Sequence, residues 1–406
     1  MYRKIFNILI IIILSSSAYS QNKLSLEEII NIALQNNQGI KSSKLNIEKE
    51  EAIKLKAFNI PKLGLFAEYE GIKGSINNFE NRKLGISQEI EFPSAYFLRS
   101  DVQSSQVQIA KAELNRLINE LKFEVKQNYY NLLFQIKMHE LANENLKIYE
   151  DFLFIASRKY EVGSTSNLEV LSAKVNKIKF ENNIKNIESQ IRVNQSSLKK
   201  MMNVDYIIIP EEDLKYTEVT LAKENLLAAA FSNNPELSIV RFQKEKFSNK
   251  ILLSKAELLP GLSFRYYNQK IGNESGFWGF EVGIGIPLWF WWEQTGSIKE
   301  ANYEYKISSS DEINIRKSIE SELNQAFEEY QNNIRQLNFF TYEALAESDE
   351  ILRQAKISFE EGAISYVELL QALTVAYDIK TQNLYSVFNY NYSIIKLEKI
   401  TAGDIK

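Results

Sequence analysis

The second half of this 406-residue chain repeats the layout of the first, and at nearly constant spacing. Pro61 corresponds to Pro260, Gly163 to Gly362 and Glu169 to Glu368, each pair 199 residues apart. Around those anchors the order of patterns is the same. A helical stretch leads to two alternating segments. A long helical stretch follows, ends at a glycine and returns as a shorter one. A repeat of this length implies one architectural unit duplicated within a chain. Any fold proposed for one half must therefore serve for both.

Four segments alternate apolar and polar residues with the period of a strand. Leu63, Leu65, Ala67 and Tyr69 oppose Gly64, Glu68 and Glu70, and Leu84, Ile86, Ile90 and Phe92 oppose Lys83, Gly85, Ser87, Glu89 and Glu91. In the second half Leu262, Phe264 and Tyr266 oppose Ser263, Arg265 and Gln269. Trp278, Phe280, Val282, Ile284 and Ile286 oppose Gly279, Glu281, Gly283 and Gly285. The expected strands are 62–72, 82–92, 261–271 and 277–288. Each has about the length that a tilted strand needs to cross a bilayer. A soluble sheet with one wet face has the same period. The flanks favour a membrane, because Tyr96 and Phe97 follow the second strand and Trp289, Trp291 and Trp292 follow the fourth. Aromatics just past the ends of apolar strands resemble an interfacial girdle.

Between the strands the period becomes helical. Residues 94–160 contain neither proline nor glycine, and at 1.5 Å per residue they make a rod of roughly 100 Å. The expected rods are 94–162 and 294–361, with return helices 165–202 and 364–401. Helical patterns Leu26–Ile60 and Leu221–Leu259 precede the hairpins. The halves, 21–202 and 221–406, are joined by a linker at 203–220, in which Tyr206–Ile209 has the composition of a short strand.

The first twenty residues read as a cleaved signal peptide: Arg3 and Lys4, an apolar run Ile5–Leu14, then Ala18-Tyr-Ser20 before Gln21. Without Arg3 and Lys4 the formal net charge of −4 becomes −6, which gives no electrostatic reason for nucleic-acid binding. The chain has no cysteine, which excludes disulfides, thiolate metal sites and a lipidated N-terminal cysteine. His139 is the one histidine, so triads and histidine metal sites lack partners. Gly283-Ile-Gly285 lacks the third glycine and the helix start of a phosphate loop. No enzyme and no cofactor is expected.

Four strands cannot close a barrel, and an open edge cannot sit in hydrocarbon. The chain must therefore assemble through its strands, most simply with rotational symmetry. The inward charges Glu68, Glu70, Glu89, Glu91, Arg265 and Glu281 need a wide, wet lumen. That requirement favours three copies and twelve strands over two copies and eight. The helices have charged outer faces and must continue the tube into the periplasm as a coiled-coil-like wall. The fold class expected is thus membrane α+β: a duplicated helix–hairpin–long-helix unit, with four strands per chain in a trimeric 12-stranded β-barrel and a periplasmic α-helical barrel beyond it. The rival readings are a secreted coiled-coil scaffold with a soluble sheet, and a self-gating porin.

The signal peptide, the duplicated unit and the motif Tyr/Phe-x-x-Gly-x5-Glu-Val/Leu-Leu at each tip resemble the TolC-type outer-membrane efflux proteins. The tip motif stands here as Tyr160–Leu171 and Phe359–Leu370, and the resemblance covers essentially the whole mature chain. It implies a homotrimer in the outer membrane of a Gram-negative bacterium, docked to a periplasmic adaptor protein and an inner-membrane efflux pump. It makes the tips around Gly163, Thr165, Gly362 and Ala363 the adaptor-docking surface. It places Glu368 at the constricted periplasmic entrance and Glu169 in the closing network. Three departures weaken a polar latch: Phe359 lacks a tyrosine hydroxyl, Ile364 stands where an arginine is frequent, and Gln371 replaces a second ring acid. Ser166-x-x-Glu169 and Ser365-x-x-Glu368 also match a capping box, which gives both glutamates a structural alternative.

Overall fold

A computed structural model describes residues 22–77, 79–286 and 292–405. The signal-peptide reading of 1–20, Pro287, Trp289 and Trp291 lie outside the described residues. In chain order the elements are β1 (Asn22–Leu24), α1 (Leu26–Asn36), α2 (Gln38–Leu55), β2 (Gly64–Glu70), β3 (Asn81–Ile90), α3 (Pro93–Glu161) and α4 (Asn167–Met202). Then follow β4 (Ile208–Pro210), α5 (Lys223–Asn233), α6 (Pro235–Ala256), β5 (Gly261–Ile271), β6 (Glu274–Gly285) and α7 (Glu293–Asn338). A π-helical turn (Phe339–Ala344), α8 (Leu345–Glu360) and α9 (Tyr366–Thr401) complete the chain.

The chain divides into two compact units. One comprises Lys41–Arg116 and Asn234–Ser318 and contains the membrane-type strands. The other comprises the described residues up to Ile40, Leu117–Asn233, and those from Ile319 onward.

In the first of these units the sheet order is β2-β3-β5-β6, all antiparallel. The two hairpins, one from each repeat, thus pair directly through β3 and β5, in a register running from Asn81↔Ile271 to Ile90↔Leu262. Strand β6 begins at Glu274, three residues before the sequence pattern suggests. The reason is a tight turn of only Gly272 and Asn273, opened by Gly272 at φ 59°. The first hairpin turn is longer, and β2 ends at Glu70 rather than 72. Among the described residues, strands β2 and β6 leave their outer edges unpaired.

The helical patterns before each hairpin are broken rather than continuous, and for the same chemical reason. Asn37 adopts an extended conformation (ψ 121°), and its side-chain oxygen accepts from the Ile40 N–H at 3.1 Å. Asn234 does likewise before Pro235, accepting from the Glu236 and Leu237 N–H groups. An asparagine that caps a new helix ends the old one. Strand β4 begins two residues into the Tyr206–Ile209 pattern and ends one residue beyond it, because its partner is the parallel β1, in register Asn22↔Ile208 to Leu24↔Pro210. The linker beyond it is pinned by side chains. Tyr390 donates to Thr217 O and accepts from the Val219 N–H, Tyr330 donates to Val219 O, and Asn391 donates to Lys215 O. Burial pushes the Tyr330 hydroxyl up to about 12, so both tyrosines stay protonated donors.

Rod α3 is one unbroken helix of 69 residues. The second rod is not a single helix: at Phe339–Ala344 its hydrogen bonding widens, and the Leu345 N–H reaches back to Phe340 O. No described helix is long and apolar enough to cross a membrane.

Candidate functional site

Register fixes what each face of the sheet carries. One face presents Leu65, Leu84, Ile86, Tyr266, Trp278, Phe280, Val282 and Ile284, all exposed. Val282 sits opposite Phe264, and Phe280 opposite Tyr266, whose neighbour on the other side is Ile86. The Tyr266 and Trp278 rings stack at 5.4 Å. An apolar surface this continuous is the mark of a lipid-facing band.

The opposite face is polar and internally paired. Lys83 reaches Glu68 at 2.9 Å and Glu70 at 3.5 Å. Arg265 bridges Glu68 at 3.0 Å and Glu281 at 3.4 Å, with its guanidinium 4.1 Å from the Phe66 ring centre. Such solvent-exposed pairs contribute little to stability. Their value is in fixing a charged lumen wall. Tyr267 lies across this face in the space that two glycines leave. A Cβ on Gly279 would stand 2.4 Å from the Tyr267 ring, and one on Gly85 2.5 Å from Tyr267 Cβ.

Of the girdle residues expected from the sequence, Tyr96 is turned inward. It is 7% exposed, and its hydroxyl accepts from the Glu91 N–H at 3.1 Å. The exposed aromatic surface there is Phe97, which the sequence names, joined by Phe58, which it does not; the two rings meet edge-on at 5.5 Å. Trp292 is exposed.

In the other unit, both rods end in the same turn. After α3, Gly163 takes φ 75°, its N–H reaches Tyr160 O, and the Ser164 N–H reaches Lys159 O at 2.8 Å. After α8, Gly362 takes φ 74°, with the matching bonds to Phe359 O and from the Ala363 N–H to Ser358 O at 2.7 Å. Both are Schellman closures, which require a left-handed residue and so favour glycine. A Cβ at either glycine would meet nothing within 4 Å, so the requirement is conformational, not steric. The two tips share one core of Tyr149, Phe152, Ala173, Ala355, Phe359, Tyr366, Leu369 and Leu373. Lys159 joins them, donating to Phe359 O at 3.2 Å with its ammonium 4.3 Å from the Phe359 ring centre.

The gate residues expected from the sequence fall into different environments. Phe359 is 3% exposed and lies edge-on to Phe152 at 5.7 Å, so it belongs to the tip core. Ile364 packs against the same core, half-buried. Glu368 and Gln371 are exposed on α9. Glu368 completes a capping box: the Ser365 N–H donates to its carboxylate at 2.7 Å, and Ser365 Oγ accepts from the Glu368 N–H. Those donations from Ser365, backbone first and hydroxyl second, hold the carboxyl below the usual carboxylate range. The first half does not form this box. Ser166 makes no side-chain cap, and Glu169 is held instead by the hydroxyl of Thr165. The position equivalent to Thr165 is Ile364, which has no hydroxyl to compete. Thr165 is accordingly half-buried, while Ala363 is exposed.

One signal passed unread in the sequence. Leu168, Leu171, Val175 and Ile178, spaced three and four apart on α4, are all exposed, as are Val162 and Val367. Apolar residues at that spacing normally face a core.

The profile of the family described as outer membrane efflux protein matches residues 29–204 and 226–395. The chain belongs to the outer membrane efflux protein family. No curated protein matches it. Among solved structures it is similar to CusC, with a TM-score of 0.76, 16% identity, and coverage of 95% of this chain and 96% of that one. It is also similar to the outer membrane protein VceC of Vibrio cholerae, with a TM-score of 0.75, 16% identity, and coverage of 94% and 97%. The MtrE outer membrane channel of Neisseria gonorrhoeae in its open state gives a TM-score of 0.71, 17% identity, and coverage of 94% and 89%. The fold class is that of a trimeric channel, whose twelve strands form the outer-membrane barrel and whose helices form the periplasmic tube. The efflux protein is an outer-membrane exit duct of a tripartite export system, a reading that displaces the secreted scaffold. The family is one of passive channels rather than enzymes, and its members work with adaptors and pumps.

Proposed function

We propose that the two tips form the surface on which this duct receives its own periplasmic adaptor, and through it an inner-membrane pump. The observation that carries this is the exposed apolar set at the tips: Val162, Leu168 and Val367 beside the glycine turns, and Leu171, Val175 and Ile178 behind them on α4. Exposed apolar rows on a rigid helix suit the apolar face of a partner's helical hairpin. Gly163 and Gly362 set the turns, Ala363 lies open between Gly362 and Ile364, and Thr165 orders its own tip through Glu169. Ala363→Glu should weaken cross-linking to the periplasmic adaptor while trimers still form. Unchanged cross-linking would remove the tip from the docking surface.

The start of α9 supplies the periplasmic entrance. Glu368 is both capped and exposed, so capping does not spend its charge: the bonds from Ser365 favour the ionised form. Three copies make a carboxylate ring that attracts cations. Gln371 adds no charge to it, Glu169 contributes through Thr165, and Phe359 with Ile364 stiffens the wall from inside. Closure then rests on apolar contact rather than a polar latch, since Phe359, Ile364 and Gln371 carry no charge. Glu368→Gln should lower cation preference in planar-bilayer recordings without loss of trimers, since glutamine can still cap. Equal selectivity would leave Glu368 a cap alone.

A further inference from the structure

The lipid-facing side of the sheet carries a paired cation where none is expected. Arg82 on β3 and Lys270 on β5 are direct cross-strand partners. Both have the parity of Leu84, Ile86, Phe264 and Tyr266, and so lie on the apolar face rather than with Lys83 and Arg265 in the lumen. Side chains directly opposite on one face begin about 5 Å apart, and like charges there repel. Such a pair needs an anion.

Among the described residues no carboxylate on that face pairs with Arg82 or Lys270. The acid nearest in sequence, Glu80, lies against Gly71 and is held by Lys73 at 2.7 Å. Glu70 is on the lumen face with Lys83 and Asn81, and Glu274 sits opposite Ile271, also of lumen parity. Three cations against one carboxylate leave this corner with an excess of positive charge in every copy. Aromatic rings frame it. Tyr69 is the other cross-strand neighbour of Arg82 and lies edge-on to Phe79 at 5.1 Å, and the Lys270 ammonium is 5.8 Å from the Phe79 ring centre.

Position along the strands identifies the anion. Arg82 and Lys270 adjoin the hairpin turns, at the ends of the strands away from Pro93 and Glu293, where the long helices begin. The helices are periplasmic, so the turns lie at the outer leaflet. Cations beside aromatic rings at a membrane boundary are placed for headgroup phosphates. We propose that Arg82 and Lys270 form a binding site for the phosphate of an outer-leaflet lipid, one per chain, on the outside of the barrel. The proposal rests on the outer-membrane placement of the sheet and is independent of the tip reading.

The test uses the full-length trimer in vesicles of phosphatidylcholine, alone or mixed with diphosphorylated lipid A, with heat dissociation of the trimer as the readout. Lipid A should raise the dissociation temperature of the unaltered protein by about 2–4 °C. Dephosphorylated lipid A should not, and this comparison needs no variant. The double variant Arg82→Ser with Lys270→Ser should lose the shift, and Arg82→Lys with Lys270→Arg should keep it. Channel conductance in phosphatidylcholine should stay the same in both, which separates loss of the lipid site from loss of the barrel. Equal stabilisation by both forms of lipid A, or an undiminished shift in the serine variant, overturns the proposal. So does an equal shift from inorganic phosphate added to phosphatidylcholine vesicles, since that would make the site a general anion site.

Discussion

From Glu140 to Asn143 the first rod is continuous helix and buries Leu141 and Ala142. The equivalent stretch 199 residues later is Phe339-Phe340-Thr341-Tyr342, which buries nothing and winds as a π-helical turn. Its side chains have other partners. Thr341 accepts from Asn383 at 3.0 Å, and the Tyr342 hydroxyl is 3.2 Å from Glu218 and 3.1 Å from Tyr216. The two rods nevertheless end in the same Schellman turn, with φ of 75° and 74° at the glycines. Duplication has therefore kept the closures, where one backbone geometry works and few residues can make it. It has let the mid-rod diverge, where packing partners decide.

The sheet is the part both repeats must share, and there the largest effect is expected. Ile86→Arg in the first hairpin and Val282→Arg in the second should each cost about 2–4 kcal/mol near the bilayer midplane, read as loss of heat-stable trimers. Glu281→Arg, on the lumen face, should cost far less. A large difference between Ile86→Arg and Val282→Arg would mean that the hairpins do not sit at the same depth.

The rods should differ in local opening. Amides at 339–344 should exchange with solvent roughly tenfold faster than those at 140–145, about 1.4 kcal/mol less opening free energy. Matched protection in the two rods would show that the π-helical turn is as stable as the helix it replaces.

The caps carry the third difference. Ser365→Ala should destabilise the start of α9 by about 1 kcal/mol, as loss of a side-chain cap does. Ser166→Ala removes no such bond and should leave α4 unaffected, as measured by exchange at each helix start. pH sharpens the test. The folded-state pKa of Glu368 is depressed, so the stabilisation is present above the unfolded value of about 4.3 and is lost as pH falls through the lower folded one. Acidification through that window should fray the α9 start, and Glu368→Gln should remove the pH dependence.

Much of this was legible in the residues. Period-two alternation from Leu65 to Tyr69 and from Trp278 to Ile286 gave the strands and their faces, because one face must meet lipid and the other water. Gly163 and Gly362 marked the turns, since a left-handed closure admits few alternatives. What stayed hidden depends on long-range pairing. Nothing local says that β3 joins β5, or that Ile208 pairs with Asn22 in β1. Nor does the strand-end position of Tyr96 reveal that its hydroxyl accepts from the Glu91 N–H and turns the ring inward. Nothing local says that Phe359 sits among Phe152 and Tyr366 in the tip core. The capping motif was legible at both tips, yet it forms at one, because a neighbouring hydroxyl at Thr165 competes for the glutamate and its counterpart Ile364 does not.

That competition supplies the smallest and most specific prediction. If the residue before the cap serine decides where the glutamate goes, the behaviour should move with the side chain. Thr165→Ile removes the hydroxyl that holds Glu169, so its carboxylate should turn to the Ser166 N–H and form the box that the sequence allows. Ile364→Thr should draw Glu368 away from Ser365 in the same way. Ile364 also packs on the tip core, so this second change carries a packing loss that Thr165→Ile does not. The clean measurement is therefore in the first half. Protection of the Ser166 amide should rise in Thr165→Ile by a few tenths of a kcal/mol, the scale of one exposed hydrogen bond gained for another lost. Glu169→Gln in that background should keep the gain, because glutamine also caps. If Thr165→Ile leaves the Ser166 amide as exposed to exchange as before, backbone geometry rather than the competing hydroxyl sets the difference between the tips.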